Sequence, residues 1–130
     1  MVQKDSVPTK VLRGYLKSFT TCQSQAAEIG QALKEGKIVP MVQKNLLECK
    51  AEFETHCKNV QLILGVLKSD SLESRILWKL YIYDQPMREV AQQLGYSYGH
   101  CANVEMAAIK RLCKNDFVKG IVRQKEGRQG

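Results

Sequence analysis

Asn103 carries the most base-specific chemistry in this chain. A carboxamide can accept a hydrogen bond from adenine N6 while donating one to N7, so on a helix laid in the major groove it would read a base and not merely touch the duplex. Tyr98, His100, Ala102 and Met106 would share the first turns of such a helix with it, and Ala102 could pack on a thymine methyl group. Five cations, Arg75, Lys79, Arg88, Lys110 and Arg111, are candidates to contact phosphate, which positions a protein on DNA without specifying sequence. The chemistry these residues suggest is recognition of double-stranded DNA. The same positions would also suit an ordinary solvated helix surface.

Catalysis has no comparable residue set. Paired carboxylates, a Ser/His/Asp set, a glycine-rich phosphate loop and metal-ligand spacing are all missing from the sequence, so no enzyme and no cofactor are expected. Cys22, Cys49, Cys57, Cys101 and Cys113 make an odd set without a CxxC pair, which reads as reduced thiols and not as a disulfide framework or a zinc ribbon. His56-Cys57 and His100-Cys101 put suitable residue types side by side. Neighbours on one helix point about 100° apart, however, and no tetrahedral arrangement follows. Cys22, Cys49 and Cys101 fall on apolar stripes, where a thiol acts as a small hydrophobe.

Three short helices must position the candidate DNA-reading residues. Leu72, Ile76, Leu77, Leu80 and Tyr81 form the buried side of the first. Pro86 suits the first turn of the second, with Asp84 or Gln85 as its cap, and Met87, Val90, Ala91 and Leu94 give that helix its apolar face. Gly95 can take the left-handed conformation that ends a helix without strain, and Ser97 is a good N-cap for the third. Cys101, Val104, Ala108 and Leu112 then lie on one side of the third helix, leaving Tyr98, Gly99, Ala102, Asn103, Met106 and Lys110 pointing away. Two helices joined by a tight glycine turn have the sequence form of a helix-turn-helix.

Two longer helices precede this head. Leu12, Tyr15, Phe19, Cys22, Ala26, Ile29 and Leu33 recur in steps of three and four, ending near Gly36. Val42, Leu46, Cys49, Phe53, His56, Val60, Ile63 and Leu67 keep the 3.5-residue repeat of a coiled-coil seam. The pair is expected either to fold back as an antiparallel hairpin or to pair with a second subunit. His56, at a core position, reads as a satisfied histidine and not as a metal ligand. The resulting division is a helical hairpin over residues 1–70, a helix-turn-helix domain over 71–122 and a disordered basic tail over 123–130, all-α throughout.

The net charge of +7 suits a polyanion, but its distribution is uneven. Residues 1–70 carry 10 basic and 7 acidic residues, residues 71–112 carry 5 and 4, and the last 18 carry 5 and 2. The head is nearly neutral and the surplus flanks it. No apolar run approaches the roughly 20 residues needed to cross a bilayer, and Met1-Val2-Gln3-Lys4-Asp5 has no secretory signal character, so a cytoplasmic protein without a membrane partner is expected.

The strings Glu89-Val90-Ala91, Leu94-Gly95-Tyr96-Ser97 and Ala108-Ile109-Lys110-Arg111-Leu112 resemble region 4 of bacterial sigma factors. The whole chain is similar to small phage transcriptional regulators of Gram-positive hosts, the ArpU and RinA type, which join a sigma-like head to an N-terminal helical segment. The resemblance implies a phage or prophage regulator of late or packaging genes, with Tyr98, Gly99, Ala102 and Asn103 at DNA-reading positions and Glu105 at that of a recurrent glutamate. Sigma factors place arginines and a glutamate where this chain has Tyr98, Gly99 and Ala102, which implies a DNA site other than an ordinary promoter element. Dimerisation through the N-terminal helices is expected, because helix-turn-helix proteins usually bind paired half-sites. The competing expectation is an interaction module that docks on RNA polymerase or another regulator without reading DNA.

Overall fold

The computed structural model describes residues 7–36 and 38–127, which form helices joined by short turns, with no strand among them. α1 (Val7–Glu35) and α2 (Pro40–Leu64) are the long ones. The His56 ring meets Tyr15 near the start of α1, while a Cβ at Gly30 would stand 3.3 Å from the side chain of Lys50, so the two helices run in opposite directions. The buried His56 donates from Nε2 to the Tyr15 carbonyl at 2.8 Å and stacks on the Tyr15 ring, whose hydroxyl accepts from Asn59. A core histidine satisfied in this way is structural.

The seam between α1 and α2 closes over only part of its length. Leu12, Tyr15, Leu16 and Phe19 of α1 share a closed core with Val60, Ile63, Leu64 and Leu67, and Cys22 and Ala26 are buried beyond them, whereas Ile29, Leu33, Leu46 and Phe53 are half-buried and Val42 and Cys49 are exposed. The continuous stripe expected from Val42 to Leu67 is therefore corrected at its first half, as is the expected burial of Cys49. What closes the second half is the rest of the chain: Leu77, Tyr81, Ala108, Ile109, Leu112, Val118 and Ile121 join the same cluster.

Ser71 caps α3 (Leu72–Leu77) by accepting the Ser74 N–H at 3.1 Å. The helix then widens into a π-helical segment, Trp78–Ile82, sealed by Tyr83 N–H to Trp78 O at 3.1 Å. Asp84 takes a left-handed φ of 55°, a conformation that a short acidic side chain tolerates, and turns the chain toward Pro86. Pro86 is extended and is itself the N-cap of α4 (Met87–Leu94), so it stands one step earlier than the first-turn position expected, and neither Asp84 nor Gln85 is the cap.

α5 (Tyr98–Cys113) lies between two cores. Toward α3 and α4 it gives Cys101 to a cluster with Ile76, Val90 and Ala91; toward α1, α2 and α6 it gives Ala108, Ile109 and Leu112. Residues 1–70 and 71–122 both contribute to the larger of these clusters, while the smaller one is built from the second segment alone. α6 (Asp116–Gly127) begins where Asn115 Oδ1 accepts the Val118 N–H at 3.1 Å. Its helix runs through positions 123–127, where a disordered tail was expected, because Val118 and Ile121 are buried and Val122 packs against them. Residues 128–130 of that expected tail lie outside the described residues. Among the described residues no helix is long and apolar enough to cross a membrane.

Candidate nucleic-acid interface

The turn into α5 is built from local chemistry. Gly95 sits at φ 77° and ψ 26°, and its N–H and that of Tyr96 both return to the Ala91 carbonyl, at 3.0 and 3.1 Å. The left-handed residue satisfies the last carbonyls of α4 and redirects the chain within three residues. Ser97 then accepts the His100 N–H at 3.1 Å, which starts α5.

The solvent-facing side of α5 presents Gly99, His100, Asn103, Ala107, Lys110 and Arg111. The Tyr96 and His100 rings lie 5.0 Å apart at its N-terminal end. Tyr98 is 60% exposed but stands on a different edge, with Ala102 and Met106, which are half-buried. That edge forms one wall of a groove whose other side includes Arg13, Lys17 and Thr20 of α1. The five candidate base-reading residues are therefore divided. His100 and Asn103 point outward, Tyr98 stands at the corner, and Ala102 and Met106 turn toward α1.

Glu105 explains why α1 lies there. It is buried, and Arg13 grips it with both arms of the guanidinium, Nε donating to Oε2 at 3.1 Å and Nη2 to Oε1 at 2.7 Å. The Tyr81 hydroxyl donates to Oε2 at 2.8 Å, and Arg13 Nη2 also approaches Met106 Sδ at 3.4 Å. Burial, reinforced by the Glu105 carboxylate, holds the Tyr81 hydroxyl well above the ordinary phenol range, so it remains a donor. Glu105 thus acts as a structural anion that ties α1 and the π-helical segment to α5.

No family model, curated protein or solved structure matches this chain.

The five candidate phosphate contacts do not converge on one surface. Arg88 lies beside Tyr98, near the start of α5. Lys110 stands at the other end of the helix, and Arg111 is exposed but paired with Glu73 at 2.7 Å. Arg75 and Lys79 line a separate cleft with Leu64, Gly65 and Trp78, and Lys79 donates to Gln93 at 3.0 Å. Sequence reasoning missed Lys17 and Thr20, which α1 brings alongside Ala102 and Met106, and it missed Ala107 on the outward stripe. The signal for Ala107 was present, since it lies four residues after Asn103 and so on the same face. Nothing local to residues 10–20 marked Lys17, because its placement depends on the Arg13–Glu105 pair, 92 residues apart in sequence.

Proposed function

We propose that this chain is a DNA-binding transcriptional regulator of phage or prophage origin, with α4 and α5 as a sigma region 4-like helix-turn-helix. The observation that carries the proposal is the capped, outward stripe of α5, on which Asn103 lies exposed between His100 and Ala107. In this arrangement the N-terminal half of α5 enters the major groove, Asn103 reads adenine, and His100, Ala107 and Tyr98 shape the contact. Arg88 and Lys17 meet phosphate on either side of the helix, and Lys110 does so at its far end. Control of late or packaging genes follows from the family resemblance, as does a bacterial cytoplasmic setting.

A single head of this size covers few base pairs, which favours a homodimer on paired half-sites. Support comes from the distal end of the helical pair, where Val39, Met41, Val42 and Leu47 are exposed, Met41 by 80%. Fluorescence anisotropy with promoter-sized phage DNA fragments tests the reading. Binding should weaken steeply with salt, and Asn103→Ala should cost about 1–3 kcal/mol at the preferred site while leaving nonspecific affinity nearly unchanged. Absence of binding at low salt, or binding without salt dependence, refutes it.

One observation favours a second reading, docking on RNA polymerase or another regulator without sequence reading. Lys79 and Arg111, expected on phosphate, are engaged by Gln93 and Glu73. A polymerase pull-down that survives Asn103→Ala and Lys110→Glu, combined with no duplex binding, would select that reading.

A further inference from the structure

Asn103 and Glu105 stand two residues apart on α5, so their side chains leave the helix about 200° apart, on nearly opposite sides. Asn103 is exposed on the outward stripe, and Glu105 is buried behind it. Whatever fixes Glu105 therefore sets the direction in which Asn103 points.

Two kinds of contact hold this part of α5 from behind. One is apolar: Cys101 is buried with Ile76, Val90 and Ala91, and Val104 is partly buried beside them. Such packing is non-directional, and a small thiol can pivot within it at little loss of contact. The other is directional. The Arg13 fork bonds both carboxylate oxygens of Glu105, at 3.1 and 2.7 Å, and the Tyr81 hydroxyl donates to Oε2 at 2.8 Å. Planar, charge-assisted pairing of this kind fixes angle as well as distance. Its arms come from two parts of the fold, α1 and the π-helical segment, so turning α5 about its axis would strain bonds to both. The wide turn closed by Tyr83 N–H to Trp78 O carries Tyr81, and π-helical turns are frequent at functional sites.

Stability is a weak reason for such a trio. A buried ion pair often holds a fold no better than apolar residues of similar volume, because withdrawing both charges from water offsets their attraction. What apolar residues cannot reproduce is the fixed angle. A carboxamide that reads a base makes two near-linear hydrogen bonds at once, and a binding group must be held within about 10–20° of its productive direction. We infer that Arg13, Glu105 and Tyr81 are positioning residues for base reading: they fix the rotation of α5 and so aim Asn103. The inference rests on the DNA reading proposed above. Through Arg13 it makes α1 part of the reading unit and not only the carrier of the head.

The test replaces the trio by apolar residues, Arg13→Met, Glu105→Leu and Tyr81→Phe together, in the full chain. One positive and one negative charge are lost, so the net charge and the nonspecific attraction for a polyanion are kept. Urea unfolding should remain cooperative, with a midpoint near that of the native chain. Residual dipolar couplings of the α5 amides, measured without DNA, should report a turn of α5 relative to α1 beyond about 10°. Anisotropy compares the preferred duplex, selected from random-sequence DNA, with the same duplex after replacement of its adenines one at a time and with an unrelated duplex. Preference should fall about tenfold, while affinity for the unrelated duplex and the salt slope stay at native values. Arg13→Lys keeps the charge but not the fork, so it should shift couplings and preference in the same direction, and it carries both readouts if the triple variant does not unfold cooperatively. Unchanged couplings, a preference retained by a variant that binds DNA, or equal weakening on every duplex overturns the inference and leaves the trio structural only. No duplex binding by the native chain refutes the DNA reading itself and removes the positioning role with it.

Discussion

Replacing Glu105 with alanine should be among the most damaging substitutions at a charged position in this protein. The carboxylate accepts two bonds from Arg13 and one from Tyr81, and the side chains of Arg13 and Glu105 retain only 16% and 9% exposure. Removing it takes the Glu105 carboxylate from a guanidinium largely withdrawn from water, and the same acceptor from the buried Tyr81 hydroxyl. Breaking a buried pair from one side costs about 3–5 kcal/mol, and an orphaned buried hydroxyl alone costs about 1–3, though the two overlap in one network. Arg13 keeps enough solvent contact to relax outward, which sets the expected loss near the lower end, about 3 kcal/mol. For a domain stable by about 5–15 kcal/mol, that is a large fraction.

Urea unfolding followed by far-ultraviolet circular dichroism measures the loss, with the slope compared between variants to confirm that the unfolding transition is unchanged in kind. Arg13→Ala and the double variant complete a thermodynamic cycle, in which a coupling energy of about 1–3 kcal/mol is expected for groups in direct contact. Glu105→Gln should be milder, since it keeps the shape and an acceptor for Tyr81. A Glu105→Ala cost below about 1 kcal/mol together with coupling within about 0.5 would refute the docking of α1 on α5, and with it the placement of Lys17 beside Ala102 and Met106.

Other outcomes can be checked on the same material. Gly95→Ala places a side chain at φ 77° with nothing within 4 Å of the new Cβ, so only backbone strain is added, about 1–2 kcal/mol in urea unfolding; a neutral result would mean the turn is not left-handed. Tyr81 ionises less readily folded than unfolded, so its contribution is fully present below a pH of about 10 and lost as pH rises beyond it. The stability difference between the native chain and Tyr81→Phe should therefore shrink above pH about 10, and a difference that stays constant to higher pH counts against the Tyr81–Glu105 bond. If the chain pairs through the exposed end of α2 as proposed, Met41→Asp with Leu47→Asp should lower its mass by light scattering to that of one chain, with little change in helix content; an unchanged mass refutes a contact there.

What could be read from sequence was whatever local chemistry decides. The Gly95 turn, the Ser97 cap and the apolar faces of α3 and α4 need only neighbours within a few residues, and each stands as the spacing indicates. α5 shows the limit. A single stripe of Cys101, Val104, Ala108 and Leu112 describes a helix packed on one side, yet α5 is packed on two, so Ile109 and Glu105 are buried and Val104 only partly so. An acidic residue cannot be expected in a core until its arginine is known, and Arg13 lies on another helix. The same reasoning covers the seam of α2: a 3.5-residue repeat states which residues could be buried, and only the remainder of the fold determines that the His56 to Leu67 half is. Val118, Ile121 and Val122 in α6 carried a helical spacing that the surrounding basic residues obscured.

The charge distribution changes meaning once the chain is folded. In sequence, the segment 71–112 is nearly neutral and the cations flank it, which weakens the case for DNA. In the folded chain the flanks return to α5: Arg13 and Lys17 along one edge, Lys119 and Arg123 around its C-terminal end, joined there by Lys110 and Lys114. Arg13 is consumed by Glu105, so its charge holds the fold and adds nothing to the surface. On the proposed DNA reading, Lys17, Lys114, Lys119 and Arg123 would form a positive margin around the uncharged N-terminal part of the stripe, Gly99 to Ala107. That part would gain little from nonspecific attraction and would discriminate through Asn103 and its neighbours, while the margin would supply the salt-sensitive part of the affinity. The two contributions should separate by experiment. Lys17→Glu is expected to lower affinity for all duplexes alike and to reduce the slope of log affinity against log salt by about 1, whereas Asn103→Ala should leave that slope intact and flatten the preference among sequences. If both substitutions changed slope and preference together, stripe and margin would not be separate surfaces.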